Sequence, residues 1–178
     1  MANNDIEIHW CSDPKMSDEL ARFFAAHITT EYISHSELQG PRALDVGKWA
    51  PDLTTVFYDE ISKRISEGKG LIKATGESYP VLYVTRAGKL VALALVSFFP
   101  EAPRPYCMVE DVVVDQSLRA SGIGTAIINW VGAEAKRVNC IRLFLESGHD
   151  NERAHHFFER EGFQPISVVM MKDLRRSS

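Results

Sequence analysis

Residues 112–131, "VVVDQSLRASGIGTAIINWV", constrain the fold more than any other part of the chain. They open as a β-branched run, which favours a strand. They continue as a helical pattern that carries Ile123, Ala126, Ile127, Trp130, Val131 and Ala135 on or near one face. Between the two lie Gly122 and Gly124, where the helix should be starting. Glycine inside a helix costs about 1 kcal/mol relative to alanine, so two of them at a helix start need a reason. A strand, a glycine turn and a helix N-terminus together present unpaired N–H groups under the positive end of the helix dipole. Glycine permits positive φ and close approach of an anion. Arg119, just before the turn, is placed to hydrogen-bond the same anion. The competing reading is a strained turn whose glycines serve packing alone. The spacing is neither the Gly-x-Gly-x-x-Gly of dinucleotide folds nor a P-loop ending in Gly-Lys-Ser/Thr.

The rest of the chain places this unit within a mixed α/β fold. "IEIH" is a short first strand, and Ser17 is a candidate N-cap for a helix carrying Leu20, Phe24 and Ile28. Residues 33–49 form a connection with short helical turns. Pro51 suits the first turn of a second helix, in which Leu53, Phe57, Ile61 and Ile65 recur every four residues and which Gly68 closes. "YPVLYVT" and "KLVALALVSFF" read as a hairpin across "RAGK", and "YCMVEDVVV" as the next strand. After the glycine-turn helix come a strand, "IRLFLES", a helix, "NERAHHFFERE", and a final strand, "ISVVMMKDL". The order β-α-α-β-β-β-α-β-α-β implies antiparallel hairpins early and a parallel crossover late.

Several classes are excluded. A formal net charge of −4 gives no electrostatic footprint for nucleic acid. Cys11, Cys107 and Cys140 are too few and too scattered for a disulfide framework or a zinc site, and they read as buried thiols of a reducing compartment. The histidines offer no convincing ligand set, so no metal is expected. No apolar run approaches a membrane span, and the N-terminal residues lack the pattern of a signal peptide, so the expectation is a cytoplasmic protein without a membrane partner.

The Arg119-x-x-Gly122-x-Gly124 segment preceded by "VEDVVVD" resembles the coenzyme A pyrophosphate loop of the GNAT superfamily of N-acetyltransferases. "NERAHHFFEREGF" resembles that family's Asn-x-x-Ala-x-x-Phe-Tyr-Glu-x-x-Gly-Phe helix, and "VVMMKDL" its closing strand. The resemblance covers roughly residues 81–174. It implies one domain over 1–178, with residues 1–75 walling the acceptor side and 81–174 binding acetyl-CoA. The implied fold is a central, mixed, splayed β-sheet with helices on both faces and acetyl-CoA between two parallel strands. The pantetheine maps onto the main chain of Val112, Val113 and Val114. The pyrophosphate maps onto Arg119, Ala120, Ser121, Gly122, Ile123, Gly124 and Thr125. Asn151, Ala154, His155 and Phe158 on the later helix flank the pantetheine and thioester. The implied acceptor is a small-molecule amine, the alternatives being a protein amine or a non-catalytic acyl-CoA sensor. A homodimer is suggested only by its frequency in that family.

Glu110 is the leading candidate for the base that deprotonates the amine. Period 2 puts it on the face of Met108 and Val112, with Asp111 pointing the other way unless a β-bulge intervenes. Its competing role is a hydrogen bond that fixes the splayed strands, and Asp111 reads as structural. Phe158 stands where the family pattern has a tyrosine that protonates the departing thiolate. The thiolate then leaves unassisted, or His155 or His149 donates, or the chemistry is not the usual one. Tyr32, His35, Trp49, Tyr79 and Tyr106 are candidates for the acceptor pocket. No carboxylate cluster stands out along the sequence, so the type of amine stays open.

Overall fold

The computed structural model describes residues 5–175. In chain order the elements are β1 (Ile6–Trp10), α1 (Ser17–His27), α2 (His35–Gln39), β2 (Ala43–Asp45), β3 (Lys48–Trp49), α3 (Leu53–Gly68), β4 (Val81–Arg86), β5 (Lys89–Phe99), β6 (Tyr106–Val114), α4 (Ile123–Arg137), β7 (Arg142–Leu145) and α5 (Glu152–Arg160). The main sheet has the order β1-β4-β5-β6-β7. All its pairings are antiparallel except β6–β7, which is parallel. This is the mixed sheet with helices on both faces that the sequence implies.

Each face of the sheet has its own core. On one face α4 lays Ile123, Ile127, Val131 and Ala135 against Ala92, Ala94, Val96, Cys107 and Val109. On the other, α1 and α3 pack Leu20, Phe24, Phe57, Ile61 and Ile65 onto Val81, Leu93, Leu95 and Val113. Phe24 and Phe57 are fully buried and stacked with ring centroids 3.7 Å apart. Truncating either to alanine is expected to cost about 3–5 kcal/mol.

Four local expectations are corrected. Ser17 is not the cap of α1 but its first residue; the turn before it is capped by Asp13, whose carboxylate accepts from Lys15 N at 3.0 Å. α3 is closed not by Gly68 but by Lys69 in the left-handed conformation (φ 50°). Trp130 lies off the buried stripe of α4, where Ile128 takes the inward position instead. The last correction is the largest. "ISVVMMKDL" is not a strand among the described residues, and the sheet stops at β7. The segment is apolar at both odd and even positions, so a strand there needs cover on both faces, and the described residues leave its side chains exposed.

Candidate functional site

The strand pairing itself opens a gap in the sheet. β6 and β7 pair from Tyr106↔Arg142 to Val109↔Leu145 and no further. At the same point β6 bulges against β5. Leu95 faces Asp111 while Val96 faces Val109, so Glu110 is the extra residue. A bulge bends its strand and shifts the side-chain phase by one. Cys107 and Val109 belong to the core under α4, whereas beyond the bulge it is Val113 that joins the core under α1 and α3, and Val112 and Val114 that pack towards α4. Glu110 therefore parts from Val112, and Glu110 and Asp111 share the α1/α3 side. The expected phase is corrected by the bulge.

Among the described residues, the outer edge of β6 beyond Val109 has no strand partner. It borders a cleft of about 1070 Å³ between the loop after α1, the N-terminus of α4, the loop after β7 and α5. The cleft has two chemically distinct ends. One is the glycine turn. Gly122 caps α4 at φ 84°, and Ala120 also adopts positive φ (65°). The first bond of α4 runs from Ala126 N to Gly122 O, so the amides of residues 123–125 have no acceptor within the helix. Arg119 lines this end and its guanidinium donates to His27 O at 3.2 Å; Thr125 of the turn donates its hydroxyl to Glu161 of the segment after α5 at 2.6 Å, and Arg153 and Arg160 of α5 also line the cleft. A Cβ at Gly124 would lie 2.9 Å from Phe157 Cζ, so the glycine permits α4 to meet α5. Asn151 caps α5 by accepting from Ala154 N at 3.3 Å, and both residues line the cleft.

The other end is built from carboxylates. Glu37, Glu60, Glu110, Asp111 and Glu146 line it, with Arg42 among them. Arg42 donates from Nη1 to both Asp111 oxygens at 3.0 Å and from Nη2 to Glu60 at 2.7 Å, and its guanidinium lies 4.7 Å from the Phe57 ring centroid. Tyr32 donates its hydroxyl to Asp111 at 2.7 Å. Burial pushes the Asp111 carboxyl upward against the opposing pull of Arg42 and Tyr32. Burial alone would lower Arg42; Asp111 and Glu60 outweigh it and hold the guanidinium protonated. Glu110 accepts from Ser97 and from Arg64 of α3. A lid covers this end. Ser36 donates from its backbone N (3.2 Å) and its hydroxyl (3.1 Å) to Glu146, which also pairs with His35 at 2.5 Å. A Cβ at Gly148 would collide with the carbonyl oxygens of Glu31 and Ile33, the latter at 2.7 Å.

Of the residues expected at the cofactor, the cleft brings together Val112, Val113, Val114, Arg119, Ala120, Gly122, Ile123, Gly124, Thr125, Asn151, Ala154 and Phe158, together with Glu110. Ser121 and His155 are not among its lining residues. The Ser121 hydroxyl turns back to Leu118 O at 2.5 Å. α5 presents His156 rather than His155 to the rim, and His149 lies outside. Phe158 packs between Phe157 and Phe163. Among the acceptor candidates only Tyr32 lines the cleft. His35 serves the lid, Trp49 packs on Tyr32, Tyr79 bonds Glu77 and Tyr106 stacks on Phe99. Sequence reading missed Arg153, in the first turn after the Asn151 cap, and Arg160, the last residue of α5. It also missed the carboxylate end, which no local pattern encodes. Among the described residues no group of three His, Cys, Asp or Glu is placed to hold a metal ion, and no helix is long and apolar enough to cross a membrane.

The cleft therefore lies where a strand pair parts at a bulge beside a glycine-opened helix N-terminus. Residues 44–163 match the profile of the acetyltransferase (GNAT) family, and the chain belongs to that family. The glucosamine 6-phosphate N-acetyltransferase of Trypanosoma brucei brucei is 31% identical over 90 residues, 49% of this chain and 59% of that enzyme. The chain spans 37% and 59% of the length of the curated relatives it matches. Two solved structures share the fold. An aminoglycoside acetyltransferase, meta-AAC0020, from an uncultured soil metagenomic sample in complex with sisomicin has a TM-score of 0.65 at 14% identity, covering 98% of this chain and 99% of that one. Aminoglycoside N-acetyltransferase AAC(6')-Iy in complex with CoA has a TM-score of 0.62 at 12% identity, covering 96% and 95%.

Proposed function

We propose that the protein is an acetyl-CoA-dependent N-acetyltransferase that acetylates a primary amine of a small molecule by direct attack in a ternary complex. The observation that carries this reading is the two-ended cleft, with the unpaired amides of the α4 N-terminus and Arg119 at one end and the cluster of Glu37, Glu60, Glu110, Asp111 and Glu146 at the other. Residues 81–174 supply the cofactor side and residues 1–75 most of the acceptor wall. The free edge of β6 at Val112–114 pairs with the pantetheine amides. The residue 119–125 turn, with Arg153 and Arg160, receives the phosphates. An N–H near Val112 polarises the thioester carbonyl. The amine attacks the carbonyl carbon and its proton passes to Glu110, directly or through a water. The C–S bond breaks as the carbonyl re-forms, and coenzyme A departs as the thiolate. Phe158 has no proton to give and His155 is not at the cleft, so the thiolate leaves unassisted; a thiol of ordinary pKa about 8.5 is a fair leaving group.

The lid of residues 31–36 on residues 146–148 supports a small molecule over a protein chain, which needs an open groove. The carboxylate end supports a cationic amine over a phosphorylated amino sugar. Three free thiols, all buried and all pushed up by burial, fit residence in a reducing cytoplasm. The test is a thiol-release screen over amino acids, polyamines, aminoglycosides, glucosamine 6-phosphate and peptides, with acetyl-CoA binding measured in parallel. Release with an unphosphorylated cationic small molecule is the expected result. Tight acetyl-CoA binding with no release by any amine would make the protein a sensor. Release with peptides alone would make it a protein acetyltransferase.

A further inference from the structure

Six hydroxyl-bearing side chains line the cleft: Thr29, Tyr32, Ser34, Ser36, Thr125 and Ser147. Five of them donate to a carboxylate. Thr29 bonds Glu31 at 3.1 Å, Tyr32 bonds Asp111 at 2.7 Å, Ser34 bonds Glu37 at 2.5 Å, Ser36 bonds Glu146 at 3.1 Å and Thr125 bonds Glu161 at 2.6 Å. Ser147 differs. Its Oγ is buried, and among the described residues it is the one buried side-chain nitrogen or oxygen of a cleft residue that makes no hydrogen bond. Buried hydroxyls are normally paired, and leaving one unpaired is costly, so this one calls for a partner that enters the cleft. Strand pairing fixes its place. β7 ends at Leu145, opposite Val109 of β6. Counting on from that pair, with Glu110 as the extra residue of the bulge, sets Ser147 across the gap from Val112. The next residue, Gly148, has no room for a Cβ against the carbonyl oxygens of Glu31 and Ile33, so the backbone beside Ser147 is held by close packing.

We propose that the Ser147 hydroxyl is a second donor to the carbonyl oxygen of the bound thioester, facing the main-chain N–H near Val112 across the gap. This inference rests on the acetyl-CoA reading above. One donor comes from β6 and the other from the loop after β7, so the oxygen is gripped from both walls. A serine hydroxyl turns to an acceptor by rotation about a single bond, and Ser147 gives up no protein partner in doing so. Each of the other five hydroxyls would have to leave a carboxylate. As the amine nitrogen bonds to the carbonyl carbon, the π electron pair of the carbonyl moves onto its oxygen, and the two donors hold that charge where it develops. The pair returns as the C–S bond breaks and coenzyme A leaves as the thiolate. The amine proton passes to Glu110, and Ser147 keeps its own. The surroundings make the donor necessary: Glu110, Asp111 and Glu146 line the same cleft, and their charge opposes a further negative charge beside them.

The experiment uses the full-length protein and acetyl-CoA with an isotopic label at the acetyl carbonyl carbon. Isotope-edited infrared difference spectra read the carbonyl stretch of the bound thioester directly, with no amine present. A hydrogen-bond donor weakens the carbonyl bond. Ser147→Ala is therefore expected to move the band to higher frequency than in wild type, and Ser147→Thr, which keeps the hydroxyl, to leave it near the wild-type position. Coenzyme A lacks the carbonyl and should bind Ser147→Ala as it binds wild type. Because the hydroxyl has no protein partner, Ser147→Ala should melt no lower than wild type. With an amine that releases thiol, Ser147→Ala should lower kcat about 10²–10³-fold and leave KM for the amine nearly unchanged. Two results would overturn the proposal. One is a carbonyl band that Ser147→Ala does not move. The other is a loss of coenzyme A affinity in Ser147→Ala as large as the loss for acetyl-CoA, which would put the hydroxyl on another part of the cofactor. A wild type that binds neither coenzyme A nor acetyl-CoA would remove the cofactor reading itself, and this inference with it.

Discussion

At the scale of single residues, the glycine turn separates steric from conformational demands. Gly124 has ordinary helical φ but would press a Cβ onto Phe157, whereas Gly122 has open space and a φ that side chains avoid. Gly124→Val is expected to destabilise by about 1–3 kcal/mol through overpacking. It should also weaken acetyl-CoA binding at least tenfold, read by calorimetric titration. Gly132, in the same helix with nothing near its Cβ position, is the control: Gly132→Ala should leave affinity unchanged and stabilise by about 0.4–1 kcal/mol. Glu110 is held by Ser97 and Arg64, which suits either a base or a strand clamp. Glu110→Gln is expected to slow turnover about 10²–10⁴-fold. It should change the shape of the pH–rate profile and leave acetyl-CoA affinity intact. A variant that melts earlier with an unchanged pH–rate profile makes Glu110 a clamp. The neighbouring Asp111 shows how far residue-level reading reached. It reads as structural in the sequence, and its side of the sheet turned on whether a bulge intervenes, which one does. The bulge is made by an ordinary glutamate with no glycine or proline to mark it, so a period of two reads straight through.

At the scale of elements, local signals were sufficient wherever an element is set by its own residues. The β4–β5 hairpin, α4 and α5 fall where caps, glycines and apolar spacing put them. The lid was not legible, because it joins Ser36 to Glu146 across more than a hundred residues. Its stability should depend on acid. Partial burial alone would raise the Glu146 carboxyl, but hydrogen bonds from Ser34 and Ser36 and the charge of His35 outweigh it and hold it below the usual carboxylate range. A depressed folded-state value means the stabilisation is fully present above the unfolded glutamate value. It is lost as pH falls through the depressed one. The difference in melting temperature between wild type and Glu146→Gln is therefore expected to be largest near neutral pH and to vanish in acid. A gap that stays constant with pH would show that the charge does not matter.

At the scale of the whole molecule, the fold class and the glycine turn that opens α4 were readable because strand, turn and helix are contiguous in residues 106–137. The acceptor end was not, since Tyr32, Arg42, Glu60 and Asp111 meet only after folding and share no spacing. The cofactor contacts both sides of the molecule in the proposed complex, so it should stabilise the whole cooperative unit. Acetyl-CoA at about a hundred times its dissociation constant is expected to add about 2.7 kcal/mol. For a chain of this length that corresponds to a rise in melting temperature of about 5–10 °C. A scan with no shift would remove the cofactor assignment. The unpaired edge of β6 also has a kinetic meaning. Alternate amides of a strand point to opposite sides, so beyond the bulge half of them bond to β5 and half face the gap. In deuterated water the empty protein should exchange those two sets at sharply different rates within one strand. Acetyl-CoA should slow only the fast set, which makes the missing neighbour strand visible as an every-other-residue pattern of protection.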